Sequence, residues 1–520
     1  MIDRNALKPG AAAGPSKRPR THRRLVNCVR AITVWLCAVA AIVVWFPSEA
    51  HAVPSFSRKY STSCQTCHTN FPVLNPFGEA FRRDGYRFPS TNGSLDSDAA
   101  TEEAVALGQS EYAKNFPNSV WPSSISHALP LSMMISGTFP WSLPESDRRR
   151  VDGNAFTWDG AAGFVGIFAA GSISDSISYY GKVAVLPTGA SIGSAYLLWN
   201  DIVGPPHWLN LWVGRLVAPQ LTSFQATGTY LSDKTFPSVS VAGLYNGADS
   251  FVLGVGPNNG VELNGILWHR LAYSAGWLAS TAQTGLNPPT SQDFYFHMGS
   301  KWGGMSLDGE GPTGMQIVNA QLPWAEWSAT FDVFAYHGMT VADNYTNYPQ
   351  LTAQRSVVDA IGFAGRVHLG SLSASAIVQH QSHFRPYAGT DPLPANPPDQ
   401  PNELPGVPNN AKGKGLIVSG EAAYVVFPWL VPAVRYEVTS LRSQYGDAYF
   451  ARFLPGISAA IRPNLRAYLY ADLQRVHKQP PQPSGFTSNW SMAGATATPP
   501  TLHGNRSSVE AIVAQVSLAF

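Results

Sequence analysis

From about residue 129 to the carboxyl terminus the chain is a succession of short segments in which apolar and polar residues alternate with a period of two. Gly, Pro, Asn and Asp separate them. That period suits a strand buried on one face and is useless to a helix. In residues 464–474, Leu465, Ala467, Leu469, Ala471 and Leu473 share one face, opposite Asn464, Arg466, Tyr468, Tyr470, Asp472 and Gln474. In residues 324–336, Ala325, Trp327, Ala329, Phe331, Val333 and Ala335 oppose Glu326, Ser328, Thr330 and Asp332. Arg435 and Glu437 likewise face away from Leu430, Val434 and Val438, and Arg366 and His368 from Ile361, Phe363 and Val367. Two faces so different require two environments.

A secreted β-sandwich or a propeller also alternates. Segments of about 10 residues with charge recurring on the same side are instead what a tilted membrane-spanning strand needs. Composition agrees, since charged residues are only 13% of the chain while aromatics reach 12%, against a usual charged share of about a quarter. Counting back by twos from the terminus, Phe520, Leu518, Val516, Ala514 and Ile512 form an apolar face closed by an aromatic. This resembles the terminal signature of bacterial outer-membrane barrels. The fold class expected is therefore all-β, a transmembrane antiparallel β-barrel of about 16 strands, with a lipid bilayer as partner and the bacterial outer membrane as location. The Pro-rich stretches 383–415 and 477–505 suit external loops.

Residues 1–52 read as a signal peptide. A basic region with Lys17, Arg18, Arg20, Arg23, Arg24 and Arg30 precedes the apolar run 31–46, and Ala50-His51-Ala52 makes a small-residue cleavage site before Val53. A retained anchor is the alternative, but 16 residues are short for a span. Eight of the 35 Lys and Arg precede Val53, against two of the 33 Asp and Glu, so the remainder is acidic by four. Nothing in that balance calls for nucleic acid.

Removing the leader leaves Cys64 and Cys67 as the cysteines that follow it. In Cys64-Gln65-Thr66-Cys67-His68 the spacing lets two thiols form thioethers with one haem while His68 reaches the iron, a c-type attachment site. A redox-active CxxC expects a βαβ surround, zinc expects further ligands, and a disulfide has no need of the histidine. The residues from Val53 to Pro89 also resemble the amino-terminal segment of the outer-membrane fused monohaem cytochrome-porins, the family that includes the Fe(II)-oxidising type. The resemblance rests on Phe56-Ser57-Arg58, on Cys64 to His68, on Pro72-Val73-Leu74-Asn75-Pro76-Phe77-Gly78 and on Gly85-Tyr86, with Ser57 where alanine is expected. It implies one covalent haem c, residues 53–126 as a cytochrome segment and residues 127–520 as a porin-like barrel.

About 40 residues are too few to bury a haem unaided, so the segment is expected to pack in or at the pore, with Phe71, Phe77, Phe81 and Tyr86 against the haem or the wall. Residues 69–126 contain no His or Met. A second axial ligand of either type must then come from the barrel, where His297 and His368 occupy lumenal positions. The function expected is electron transfer across the outer membrane, from extracellular Fe(II) or another donor to a periplasmic c-type cytochrome or other carrier. Glu326 and Asp332 are candidate attractors for a cation, or plain pore lining. The rivals are a porin whose haem-bearing plug serves solute transport or sensing, and a peroxidase-like haem enzyme.

Overall fold

A computed structural model describes residues 55–56, 64–70, 73–87, 131–142, 164–174, 176–186, 189–219, 238–242, 248–251, 258–279, 292–309, 325–341, 355–385, 411–443, 446–462, 465–478, 492–493 and 506–519. The expected leader, Phe71 and most of the two expected external loops lie outside these residues.

The alternating segments become strands, and the strands close on themselves. In chain order they are β1 (Leu131–Ser142), β2 (Phe164–Ser174), β3 (Ile177–Leu186), β4 (Gly189–Trp199), β5 (Asn210–Leu216), β6 (Asn258–Leu267), β7 (Leu271–Ala279) and β8 (Gln292–Gly303). They continue with β9 (Glu326–Val341), β10 (Arg355–Gly370), β11 (Leu372–Arg385), β12 (Ala411–Tyr424), β13 (Leu430–Ser443), β14 (Gly446–Arg462), β15 (Leu465–Lys478) and β16 (Arg506–Ala519). Each pairs antiparallel with its sequence neighbours, and β16 pairs with β1 through partners such as Ala514 and Phe139. The result is a closed barrel of 16 strands with no free edge. Closure is what permits a sheet in lipid, where an unpaired backbone group costs several kcal/mol.

The two faces divide as the alternation requires. Phe296 of β8, Phe331 of β9, Phe363 of β10, Val378 of β11, Leu416 of β12 and Tyr436 of β13 are exposed on the outside. Between them, Asp293, His297, Asp332, Arg366, Arg435 and Glu437 are buried on the inside. A sandwich would show the reverse, with its apolar face inward. An apolar exterior around a charged interior belongs in a bilayer, and a closed antiparallel barrel of this kind spans the bacterial outer membrane. At one rim Trp302 is 68% exposed and Trp327 is 72% exposed, as in the interfacial aromatic girdles of such barrels.

Strand length departs from the expected 10 residues in a systematic way. The strands β1 to β8 have 7 to 12 residues, whereas β9 to β16 have 14 to 17. About 9 to 11 tilted residues cross the hydrocarbon, so the second half of the wall continues its ladder past the bilayer. Most connections at one end are short, as where a single residue, Ser371, separates β10 from β11, the longest there being residues 304–325 between β8 and β9. The expected loops 383–415 and 477–505 leave from the opposite end, which by this asymmetry is the outer one. Met492–Ala493 of the second stretch pairs with Ser238–Ala242, which also pairs with Ala248–Phe251.

The lipid-facing assignment gives a direct expectation. Phe363→Arg places a guanidinium on the outer face of β10 and should destabilise the barrel by about 2 to 4 kcal/mol. Urea unfolding in phospholipid bilayers would measure the loss, and an unchanged midpoint would contradict the assignment.

Candidate functional site

The motif residues lie inside the barrel. The first turn of the motif is a 3-10 helix, Cys64–Thr66, in which the Cys67 N–H donates to Cys64 O at 3.2 Å. Residues His68–Asn70 then pair with Val73–Leu74, and a helix follows, α1 (Pro76–Arg83). Three contacts of one residue strap the motif to the helix. The Asn75 Oδ1 caps α1 by accepting from Gly78 N–H at 2.9 Å, its Nδ2 donates to Thr66 O at 3.0 Å, and its backbone N–H donates to Cys67 O at 2.9 Å. Asparagine before a first-turn proline is the expected cap. Gly78 is required by proximity, because a Cβ there would lie 2.0 Å from the Cys67 carbonyl oxygen.

The helix ends at Asp84, Gly85 and Tyr86, with φ at +66° for Gly85 and +63° for Tyr86. A side chain at Gly85 would meet Asn200 at 2.6 Å, so the backbone rests directly on the turn between β4 and β5. Tyr86 carries an unfavourable conformation, and rings on both faces hold it there. Phe56 stacks on it at 5.6 Å and Tyr180 at 5.8 Å. Tyr180 continues to Tyr196 at 5.2 Å, and Tyr196 to Trp212 at 5.1 Å. One aromatic ladder thus runs from the segment into β3, β4 and β5. Phe77 and Phe81 are buried in the same cluster, against which Cys67 also packs. Of the expected aromatics, Phe77, Phe81 and Tyr86 therefore meet the wall.

Charged contacts fix the segment at its margins. Glu79 of α1 pairs with Arg366 of β10. Arg87 bridges Asp84 at 2.6 Å and Asp201 at 2.8 Å, and His207 lies 3.1 Å from Asp84. The two carboxyls respond in opposite directions. Burial raises Asp84 despite His207 and Arg87. At Asp201 burial is outweighed by the His207 N–H and by Arg87, and the carboxyl is held below its ordinary range. These partners sit in or beside the turn between β4 and β5, so the segment lies toward the short-turn mouth.

Cys64, Cys67 and His68 are thus brought together on one turn, and neither cysteine forms a disulfide. Burial, with Cys64 nearby, pushes the Cys67 thiol up to about 12. Two free thiols and an adjoining imidazole on one turn are a donor set that fits covalent haem, with Cys64 and Cys67 as thioether sites and His68 toward the iron. Among the described residues no group of three His, Cys, Asp or Glu is arranged to hold a metal ion.

The wall residues singled out by alternation are all lumenal but differ in employment. Glu326 holds Lys301 Nζ at 2.8 Å and the Met305 N–H at 2.9 Å. Asp332 lies 3.0 Å from His297 Nε2. Both carboxylates therefore serve the wall, which is their plain-lining reading. His297 borders a cavity with Arg82, Arg83 and Glu262. His368 borders a different one with Thr69 and Val73. The lumenal aromatics Tyr180, Tyr196 and Trp212 went unremarked in the sequence. Their signal was available, since three successive strands each place a ring on the face that otherwise carries polar groups.

No family model matches the chain, and no curated protein matches it in sequence. Among solved structures it is similar to the outer-membrane protein OmpT of Vibrio cholerae in its trimer form, with TM-score 0.44 and 8% identity over 75% of this chain and 98% of that one. It is also similar to an anion-selective porin from Comamonas acidovorans, at TM-score 0.42 and 9% identity over 75% and 98%. A third is the outer-membrane channel DcaP of Acinetobacter baumannii, at TM-score 0.41 and 10% identity over 75% and 96%. The barrel described above stands on its own strand pairing.

The seating of Gly85 can be tested without touching the motif. Gly85→Ala imposes a left-handed backbone on alanine, at about 1 to 2 kcal/mol, and drives a methyl into Asn200. Added protease should cleave residues 53–87 faster in the variant, while the heat-resistant mobility of the folded barrel on gels stays unchanged. Equal cleavage rates would show that the turn does not hold the segment.

Proposed function

We propose that this chain is a plugged outer-membrane barrel in which Cys64 and Cys67 attach one haem c and His68 ligates its iron, and that the haem carries electrons between an outer donor and a periplasmic carrier. The observation that supports this most is the position of the motif. It lies on a lumenal segment seated toward the short-turn mouth, strapped by Asn75 and packed on the wall through Tyr86. A covalent redox group on such a segment is screened from lipid and has the periplasm on one side and the lumen on the other. When bound, the haem supplies one-electron chemistry. The chain's own residues orient it, exclude bulk water through the aromatic cluster, and set its potential through axial ligation and burial.

The donor class that the sequence resemblance favours is extracellular Fe(II), with a c-type cytochrome or similar carrier as acceptor. Leaving Fe(II) outside keeps insoluble Fe(III) out of the periplasm. A second reading has its own support: a barrel of 16 strands ordinarily encloses an aqueous channel, so a porin passing small solutes around a haem-bearing plug fits the same architecture.

Liposomes containing an enclosed soluble cytochrome distinguish the two. Externally added Fe(II) should reduce the enclosed cytochrome only when the barrel is present, and Cys64→Ser with Cys67→Ser should abolish haem attachment and reduce transfer to the protein-free rate. Solute flux without transfer would favour the porin reading. Absence of haem from correctly matured wild-type protein would remove the electron-transfer reading altogether.

A further inference from the structure

Where the second half of the wall passes the hydrocarbon, its outer face changes character. On β12 every outward position from Tyr424 to Leu416 is uncharged, and the next is Lys414. On β13 the same holds from Leu430 to Ser440, and the next is Arg442. Lys414 and Arg442 are both exposed. Lys414 lies ten residues beyond Tyr424, and about 9 to 11 tilted residues cross the hydrocarbon. Tyr449 of β14, 41% exposed, is the partner of Ser440, the outward position next to Arg442, and marks the interface as such aromatics do. The two cations therefore stand at headgroup level on the side that bears the long loops.

They also stand together. Lys414 and Arg442 are direct partners across the ladder of β12 and β13, and Ser382 of β11 is the partner of Lys414 on its other side. Neighbouring strands lie about 4.8 Å apart, so the row of three spans about 10 Å. Like charges directly opposite one another destabilise a sheet. Among the described residues no carboxylate pairs with Lys414 or Arg442. Asp359 of β10 is the partner of Ser382 on the next ladder, but His337 Nδ1 holds it at 2.6 Å. Asp447 of β14 is the backbone partner of Arg442, which leaves Lys414 with no acid across either of its ladders. Long cationic side chains scattered along a membrane edge simply reach for water. A cation opposite a cation, with a hydroxyl beside them, is instead an arrangement that an anion seated in the row would stabilise.

We propose that Ser382, Lys414 and Arg442 bind the phosphate of a glycolipid in the outer leaflet. Position selects the source, because the row is continuous with the lipid-facing wall and points away from the lumen, so what lies against it is the surrounding membrane. Lys414 supplies a point charge, Arg442 a planar fork that matches two phosphate oxygens, and Ser382 a hydroxyl donor. A phosphate held there fixes the depth at which β11 to β13 sit in the outer leaflet. The assignment is independent of whether Cys64 and Cys67 carry haem.

Folded full-length protein in detergent is titrated with bis-phosphorylated lipid A, with its dephosphorylated form and with inorganic phosphate, and native mass spectrometry counts what is bound. Wild-type protein should bind the phosphorylated glycolipid and neither of the other two. Lys414→Gln with Arg442→Gln should weaken that binding about 30-fold, through two charges lost beside an anionic surface, while the heat-resistant mobility of the folded barrel on gels stays unchanged. Lys414→Gln alone should weaken it about fivefold and serves should the double variant fail to assemble. Arg475→Gln removes an exposed cation of β15, two strands from Arg442, and should bind as wild type does. Undiminished binding by the Lys414 variants, or an equal loss in Arg475→Gln, overturns the assignment. Equal binding of the dephosphorylated glycolipid, or of inorganic phosphate alone, overturns it as well.

Discussion

Everything in this molecule depends on a backbone that must pair all of its polar groups inside a bilayer. Closing the sheet satisfies that demand, because β16 hydrogen-bonds to β1 and no strand of the barrel is left with an open edge. Closure then forces the side-chain division. Alternate residues point into lipid and into the lumen, so a strand such as β10 must place Phe363 and Val367 outside while it places Arg366 and His368 inside. At the height of the bilayer the lumen is consequently the compartment where the wall can keep charge, and it is in the lumen that the motif-bearing segment is found.

The lumenal wall is not uniform, and the difference explains where the segment docks. Strands β3 to β5 present Tyr180, Tyr196 and Trp212, which offer flat apolar surface to Tyr86, Phe81 and Phe77. Strands β13 to β15 instead hold a network of ion pairs and hydrogen bonds. Arg452 reaches both oxygens of Asp472 at 3.0 Å, Arg435 pairs with Glu437, and Gln474 donates to Asp472 at 2.9 Å. Buried ions already paired within the wall have little to gain from a newcomer, and breaking such a pair costs about 3 to 5 kcal/mol. Aromatic rings on a polar face have the opposite property. The aromatic side of α1 thus settles on the part of the wall that gains from being covered, while Glu79 reaches Arg366 of β10 and Val73 packs beside Val431 and Ala433 of β13.

Much of the barrel was legible because strand periodicity is a local property. The opposed faces of residues 464–474 and 324–336 appear in β15 and β9 as the alternation requires, and the strand count agrees. Strand length was less legible: β9 to β16 extend past the hydrocarbon, and nothing in a run of alternating residues marks the point where lipid ends and water begins. The motif itself could be read from five residues. What it touches could not, because Glu79 and Arg366 are separated by 287 positions and only closure of the sheet brings them together. Likewise alternation put His297 and His368 on the same face with equal standing, and it took the cross-strand partner Asp332 to distinguish them.

The same geometry constrains how the molecule can assemble. The segment has too little apolar area to form a core of its own, and Phe77, Phe81 and Tyr86 are buried largely against strands separated from them by more than 80 residues. It therefore acquires its structure when the wall is present. Thioether formation, by contrast, needs Cys64 and Cys67 accessible, and in the docked segment the backbone of Cys67 is pressed against Gly78 and its side chain lies in the aromatic cluster. On the proposal that these cysteines carry a haem, attachment would have to precede closure of the wall around the segment, since docking and access to Cys67 compete for the same surface.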